Sequence, residues 1–286
     1  MKRQGMRALV AACVIGVSSH AYATDGISDV EASMLITGTV TIKADGSVES
    51  YALDRADKLP PEVGTVVQRN LPAWKFTPAK PGDAPFKEVM SLRIVARAVD
   101  KDHTTIRIAG ASFGRDEEAE GEELKPLNRS NPAYPRKAID KRISAAVYLL
   151  VKVDRTGKVA DVVAEQVNLL TYSDPYERER FRKLFASSAL TTAREWTWQI
   201  PSRGNHANDP YWLVRVPIKY QIVEGVRPGP MNPSYGQWEV YLPGVRQTAP
   251  WASTDAALQG AADAVADDRV QPLVNGTRLL TPLGEG

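Results

Sequence analysis

The sequence predicts an α+β fold that contains two divergent copies of one strand–turn–strand–helix–strand unit and ends in an irregular carboxy-terminal tail. Two observations support this prediction. Apolar and polar residues alternate on both sides of the turn at Asp45–Gly46 and again around Thr156–Gly157, which is typical of β-hairpins. Each hairpin is followed by a helical stretch that begins with proline, and then by a Trp-x-aromatic motif.

The first copy is predicted over residues 24–114. Strands are expected at 35–42 and 48–53, where β-branched and apolar residues alternate with polar ones. The two prolines at 60–61 indicate a helix start, because proline fits the first turn of a helix, and apolar residues then recur at helical spacing. A long strand over 89–99 closes this copy.

The second copy is predicted over residues 125–224. The hairpin strands are expected at 149–153 and 159–167. A helix is expected over 175–196, since a Ser-Asp-Pro sequence supplies an N-cap and a first-turn proline. The closing strand is expected at 211–223. Aligning the two hairpin glycines also aligns the apolar positions of the strands around them.

The segments outside the two copies differ in composition. Residues 115–124 are rich in Glu and Asp and are predicted to be a solvated, self-repelling linker. The tail, residues 225–286, begins with many prolines and glycines, and residues 237–242 are its only strand-like piece. The alanine-rich residues 254–268 are expected to form at most one weak helix.

Residues 1–23 have the pattern of a cleaved Sec signal peptide. A basic start precedes the ten-residue apolar run Ala8–Val17, and Ala21-Tyr22-Ala23 is a small-residue cleavage site. The run is too short for a membrane span, which needs about 20 residues. We therefore expect cleavage after Ala23 and a periplasmic location. A lipoprotein processed at Cys13 and a short inner-membrane anchor are the alternatives.

Charge and residue usage exclude several function classes. Removing residues 1–23 takes away three basic residues and no acid, so the net charge changes from +2 to −1. Nucleic-acid binding, which needs a concentrated basic surface, is therefore not expected. The mature chain would contain no cysteine, and His103 and His206 would be its only histidines. This composition argues against a disulfide framework, a thiolate or three-histidine metal site and a cysteine nucleophile, and no cofactor is expected.

The second copy resembles the carboxy-terminal domain of the TonB energy-transducer family. It opens with P-x-Y-P-x-x-A, continues with a G-x-V hairpin and closes with a Trp-x-aromatic motif before the last strand, over about 95 residues. The positions that carry this motif are Pro132, Tyr134, Pro135, Gly157, Trp196 and Trp198. The first copy has the matching Trp74-x-Phe76 but lacks the P-x-Y-P opening, so it resembles a truncated duplicate.

The resemblance implies a binding mode. In the family, the exposed edge of the third strand pairs with a short extended segment of outer-membrane transporters, which is β-augmentation. The corresponding residues here are Tyr211, Trp212, Leu213, Val214, Arg215, Val216 and Ile218. Pro217 lies among them, and because it has no N–H it must face outward or sit at a bulge. On an exposed edge it would remove one hydrogen bond to an added peptide.

The resemblance also has a limit that concerns energy transduction. Transducers of the family keep an uncleaved amino-terminal helix and a proline-rich spacer, whereas this chain has a short signal pattern and a predicted domain directly behind it. The sequence therefore predicts a periplasmic, non-enzymatic protein-interaction module that does not itself transduce energy. Its partner would be an outer-membrane receptor or another envelope protein.

Two other function classes stay open. One is a structural module that binds peptidoglycan or another envelope component through a broad groove. The other is a serine hydrolase, since Gly110–Gly114 fits the pattern G-x-S-x-G with Ser112 at its centre. That chemistry requires a strand–turn–helix context and a histidine base, and His206 is the only downstream histidine.

Overall fold

The chain is rich in strands and has few helices, in agreement with the α+β class. The computed structural model describes residues 30–77, 85–99, 103–114, 119–222, 235–252, 261–266, 269–273 and 278–283. The predicted signal peptide, with Cys13, lies outside these residues. Across the described ranges, no helix combines the length and the apolar character needed to cross a membrane.

The first half of the chain forms one antiparallel sheet with a helix on one face. Its elements are β1 (Glu31–Ile42), β2 (Val48–Leu53), α1 (Pro61–Asn70), β3 (Phe76–Thr77), β4 (Phe86–Ala98) and β5 (Thr104–Gly114). β1 pairs with β2 along one side and with β4 along the other, and β4 pairs in turn with β5. Apolar side chains from alternate strand positions pack under α1 and form one core.

The second half forms another antiparallel sheet with the longer helix on one face. Its elements are β6 (Lys125–Asn128), α2 (Arg136–Asp140), β7 (Ala145–Asp154), β8 (Val159–Leu169), α3 (Pro175–Ala193), β9 (Thr197–Gln199) and β10 (Tyr211–Tyr220). β7 lies between β8 and β10, and β6 pairs separately with β9. The second core lies between this sheet and α3.

The two hairpins have the same geometry at their glycines. Gly46 and Gly157 have φ values of 79° and 76°. The Gly46 carbonyl accepts from the Phe76 amide at 2.8 Å, and the Gly157 carbonyl accepts from the Trp198 amide at 2.7 Å. In both halves the order is therefore hairpin, helix, short strand and third strand, with the Trp-x-aromatic motif bound to the hairpin turn.

One aspartate holds each hairpin turn. Oδ1 of Asp45 accepts hydrogen bonds from the hydroxyl and the amide of Ser47, at 2.5 and 2.9 Å. Oδ1 of Asp154 accepts the equivalent pair from Thr156, at 2.6 and 2.7 Å. The Ser47 hydroxyl lowers the pKa of Asp45 to about 2, and the Thr156 hydroxyl lowers the pKa of Asp154.

These two turns should make part of the stability dependent on acid pH. The two carboxylates have lower pKa values in the folded protein than in the unfolded chain, where the pKa of an aspartate is about 3.9. Their contribution is thus present above about pH 4 and is lost as the pH falls below 4, for Asp45 down to about 2. We expect the double variant Asp45→Asn, Asp154→Asn to lose less stability than the wild type over that range, measured by urea unfolding at pH 7, 4 and 3. Equal losses in the two proteins would contradict this assignment.

The helix-free faces of the two sheets are turned toward each other. Nη2 of Arg93 in β4 donates to the hydroxyl of Tyr148 in β7 at 2.9 Å. Residues 261–266 run between the sheets and contact both of them. α1 and α3 therefore lie on the outer sides of the two sheets.

The described parts of the tail are mostly irregular, as the sequence predicts, but they pack against the body and pair with it through three short strands. The tail contributes β11 (Glu239–Tyr241), β12 (Gln271–Pro272) and β13 (Arg278–Leu279), which pair with β1, β10 and β3. Leu242, directly after β11, also bridges to Leu169 at the end of β8. β11 and Leu242 thus join the edges of the two sheets.

Two further predictions need correction. Residues 119–124 of the predicted acidic linker are held in place, because the Gly121 carbonyl accepts the amides of Ser202 and Arg203 and Leu124 is buried in the second core. The predicted weak helix over 254–268 is not formed in its described part, where one 3₁₀ turn interrupts an otherwise extended segment. Residues 115–118, 253–260 and 267–268 lie outside the described residues.

Candidate peptide-binding edge

The candidate binding residues divide between the two faces of β10. The side chains that lie under α3, in or against the second core, are Trp212, Val214, Val216 and Ile218. The side chains on the other face are Tyr211, Leu213 and Arg215, in keeping with the alternation of a strand. Both faces are therefore covered over most of the strand, and what remains for a partner is the main chain at its outer edge.

The direction of the main-chain groups identifies that outer edge. The carbonyl of Leu213 accepts a hydrogen bond from the amide of Leu273 at 2.9 Å, so Leu213 faces away from β7. β10 and β7 pair without a register shift, with Pro217 opposite Tyr148. Main-chain groups alternate in direction along a strand, so those of Tyr211, Arg215 and Pro217 also point away from β7. The missing N–H of Pro217 thus lies at the outer edge and interrupts its row of donors.

The middle of this edge is occupied by the tail, whereas the resemblance to the TonB family implies an exposed edge. β12 pairs Pro272 with Val214 and Gln271 with Arg215. The side chain of Leu273 is buried in a small apolar pocket formed by Leu150, Leu213 and Ala249. The first half offers no equivalent site, because its third strand, β4, lies between β1 and β5.

A buried ion cluster lies on the face of β10 that points away from α3, the face that also carries Tyr211 and Leu213. Nε and Nη2 of Arg215 donate to the carboxylate of Glu165 at 2.8 and 3.0 Å, and Nε of Arg246 donates to the same carboxylate at 2.9 Å. Glu165 is 2% exposed and Arg215 is 1% exposed. The charge of Arg215 is therefore compensated inside the protein, and we assign it no role in attracting a partner.

The P-x-Y-P opening is fixed against α3 and β10. The Tyr134 hydroxyl donates to the Ile143 carbonyl at 2.7 Å, and its ring meets those of Phe185 and Tyr220 edge-on, at 5.7 and 5.5 Å between centroids. Burial raises the pKa of Tyr134 to about 12 and also raises the pKa of Tyr220. Pro132 and Pro135 flank this tyrosine, and α2 begins directly after Pro135. The motif thus sets the position of the closing end of β10.

The Trp-x-aromatic motifs belong to the two cores. Trp74, Phe76, Trp196 and Trp198 are each 2% exposed. Trp74 and Phe76 also pack edge-on against Phe113 of β5. Nε1 of Trp196 donates to the Ser130 carbonyl at 3.0 Å, which ties the motif to the segment before α2. These four side chains are consequently not available as a ligand platform.

Ser112 does not have the geometry of a catalytic serine. It lies within β5, opposite Ser91 of β4, and not at a strand-to-helix turn. Its hydroxyl donates to the Ala264 carbonyl at 2.8 Å. The nucleophile elbow that the G-x-S-x-G pattern would require is thus not formed at this position.

A cleft of about 1220 Å³ lies between the two sheets. Its lining has mixed charge and includes Glu88 and Arg93 from β4, Tyr148 from β7, and Val265 and Gln271 from the tail. This mixed lining indicates no ligand class.

Comparisons with protein-family models, with curated proteins and with solved structures found no match. The resemblance to TonB carboxy-terminal domains therefore depends on the sequence motifs described above.

Proposed function

We propose that this protein is a non-enzymatic, TonB-like periplasmic interaction module that binds an extended segment of an outer-membrane transporter or another envelope protein at the outer edge of β10. One observation supports this most directly. The edge already accepts an extended segment, since Leu273 donates a main-chain hydrogen bond to Leu213 and β12 pairs with Val214 and Arg215. Strand addition uses the same main-chain groups and is insensitive to most side chains of the ligand.

The surroundings of the edge indicate what a ligand must look like. A pocket of Leu150, Leu213 and Ala249 receives one apolar side chain. Beside it, Nζ of Lys152 lies 4.2 Å from the ring centre of Tyr211, so this part of the surface is aromatic and cationic. Pro217 ends the continuous row of edge donors. The preferred ligand is therefore short and extended and carries an apolar anchor.

The proposal is tested by locating where a selected peptide binds. Twelve-residue peptides are selected from a random display library with the mature chain as bait, and the tightest one is synthesised with a nitroxide label at one end. We expect the label to broaden the NMR signals of β10 amides from Tyr211 to Arg215. Broadening centred on α1, α3 or β5 would contradict the proposal.

A matched pair of peptides tests whether the main chain makes the contacts. One peptide is N-methylated at every even position and the other at every odd position. An added strand bonds through alternate residues only, so one peptide should bind about tenfold or more weakly while the other changes little. Equal losses for the two peptides would indicate binding through side chains in a groove and would count against strand addition.

A further inference from the structure

Residues 261–266, here called the anchor, are held between the two sheets like a bound peptide. Nε and Nη2 of Arg93 donate to the Asp263 carbonyl at 3.0 and 2.7 Å. The Ser112 hydroxyl donates to the next carbonyl, that of Ala264. The sheet also fits the anchor closely, because a Cβ on Gly110 would lie 2.5 Å from the Cβ of Ala261. The anchor is thus recognised through its main chain and its small side chains.

The Asp263 side chain fixes the anchor from the second sheet. Its Oδ2 accepts hydrogen bonds from Gln166 at 3.3 Å, from Asn168 at 3.1 Å and from the hydroxyl of Tyr241. Burial and the negative charge of Asp263 together raise the pKa of Tyr241, so this hydroxyl keeps its proton and remains a donor. Asp263 is 6% exposed, and no part of this network is readily released to water.

Residues 269–273, here called the edge segment, are held much less firmly. They contribute a strand of only two residues, and one of these, Pro272, lies opposite Val214, whose main-chain groups face β7, so this pair adds no hydrogen bond to the edge. Val270, Gln271 and Pro272 are only half-buried, and Leu273 alone is buried. Beyond the strand pairing, Nε2 of Gln271 donates to the Phe113 carbonyl at 3.1 Å. The attachments of the edge segment include Leu273 in its pocket, the half-buried Val270 against the second core, and a few main-chain bonds.

We infer that the edge segment is an intrachain ligand of the β10 edge, and that a partner segment binds by displacing it and placing its own apolar side chain in the Leu273 pocket. This inference rests on the proposed function. The anchor keeps the edge segment close to β10 after release, so that it competes with any partner at a high local concentration. If the edge segment is bound in nine of ten molecules, it weakens the apparent affinity for a partner about tenfold.

A reversible crosslink tests the competition in the folded, full-length mature chain. Val214 and Pro272 are direct cross-strand partners, and the mature chain has no cysteine of its own. The variant Val214→Cys, Pro272→Cys can therefore be locked by oxidation and released by reduction. The probe is a fluorescein-labelled peptide with the sequence of residues 266–273. We expect the oxidised form to bind it at least tenfold more weakly than the reduced form of the same protein.

A second variant weakens the edge segment without a crosslink. Leu273→Asp removes the apolar side chain from its pocket and should increase the affinity for the probe about tenfold over the wild type. Leu280→Asp is the matched control, since Leu280 is 50% exposed and lies outside the edge segment, and it should leave the affinity unchanged.

The outcomes separate the two proposals. Equal affinity of the probe for the locked and reduced forms, or no gain in Leu273→Asp, would overturn displacement. Strand addition would then still stand if the library peptide broadens the β10 signals. Broadening on another surface would overturn strand addition at β10, and displacement with it.

Discussion

Replacing Glu165 by glutamine should lower the free energy of unfolding by about 3–5 kcal/mol. Glu165 is 2% exposed and binds Arg215 through both carboxylate oxygens, with Arg246 as a second cation. Glutamine keeps the shape of the side chain but removes its charge. Arg215 would then remain buried without the carboxylate that compensates it, and this loss is the main destabilising effect.

Two controls separate the buried charge from other effects. Glu177→Gln removes a carboxylate from a surface pair with Arg180, 3.9 Å apart on α3, and should cost at most about 0.5 kcal/mol. In the double variant Glu165→Leu, Arg215→Leu no arginine is left buried on β10, so its loss should be much smaller than that of Glu165→Gln. All are compared by urea unfolding at neutral pH. A loss below 1 kcal/mol for Glu165→Gln would show that Arg215 is not held by this carboxylate.

Local signals in the sequence are sufficient to predict several individual strands and helix starts. The predicted strand 48–53 coincides with β2, and the predicted helix starts coincide with the first residues of α1 and α3. Each of these elements has a strong local cause, such as strand alternation next to a turn or a proline in the first helical turn. Each Trp-x-aromatic motif comes directly after a helix in the sequence, and this position also indicates that the motif closes its unit.

The ion cluster could not be predicted, because it depends on a β-bulge. In the pairing of β8 with β7, Gln166 lies opposite Tyr148 and Ala164 lies opposite Leu149, so Glu165 is the extra residue. Glu165 and its neighbour Gln166 consequently both reach the face of the sheet away from α3, where they contact Arg215 and Asp263. A regular alternation would place these neighbours on opposite faces.

The packing of residues 261–266 between the two sheets could not be predicted from the sequence of the tail, because it depends on distant residues. Residues 261–266 contain four alanines, one valine and one aspartate, a composition without a strand or turn signal of its own. Their position is determined by Arg93 and Ser112 in one sheet and by Gln166 and Asn168 in the other. Such contacts, more than 90 residues apart in the chain, leave no periodic pattern in the sequence of the tail itself.

Replacing Gly46 or Gly157 by alanine should lower the free energy of unfolding by about 3 kcal/mol. The two variants should lose similar amounts. Both glycines have positive φ, which costs an L-residue about 1–2 kcal/mol, and each bonds the closing motif of its unit. A Cβ would lie 2.0 Å from the Phe76 oxygen at Gly46 and 2.2 Å from the Trp198 oxygen at Gly157, so the hairpin and the motif would have to separate.

A third glycine supplies the control for this pair. Gly64 lies in α1, and apart from its own helical turn no atom lies within 4 Å of an added Cβ, so Gly64→Ala should raise the free energy of unfolding by about 0.5–1 kcal/mol. Urea unfolding of Gly46→Ala, Gly157→Ala and Gly64→Ala measures all three effects. Because Gly46 and Gly157 make the same contact, a loss at one of them and none at the other would mean that only one hairpin is held by its closing motif. That result would contradict the prediction that the two closing motifs hold their hairpins in the same way.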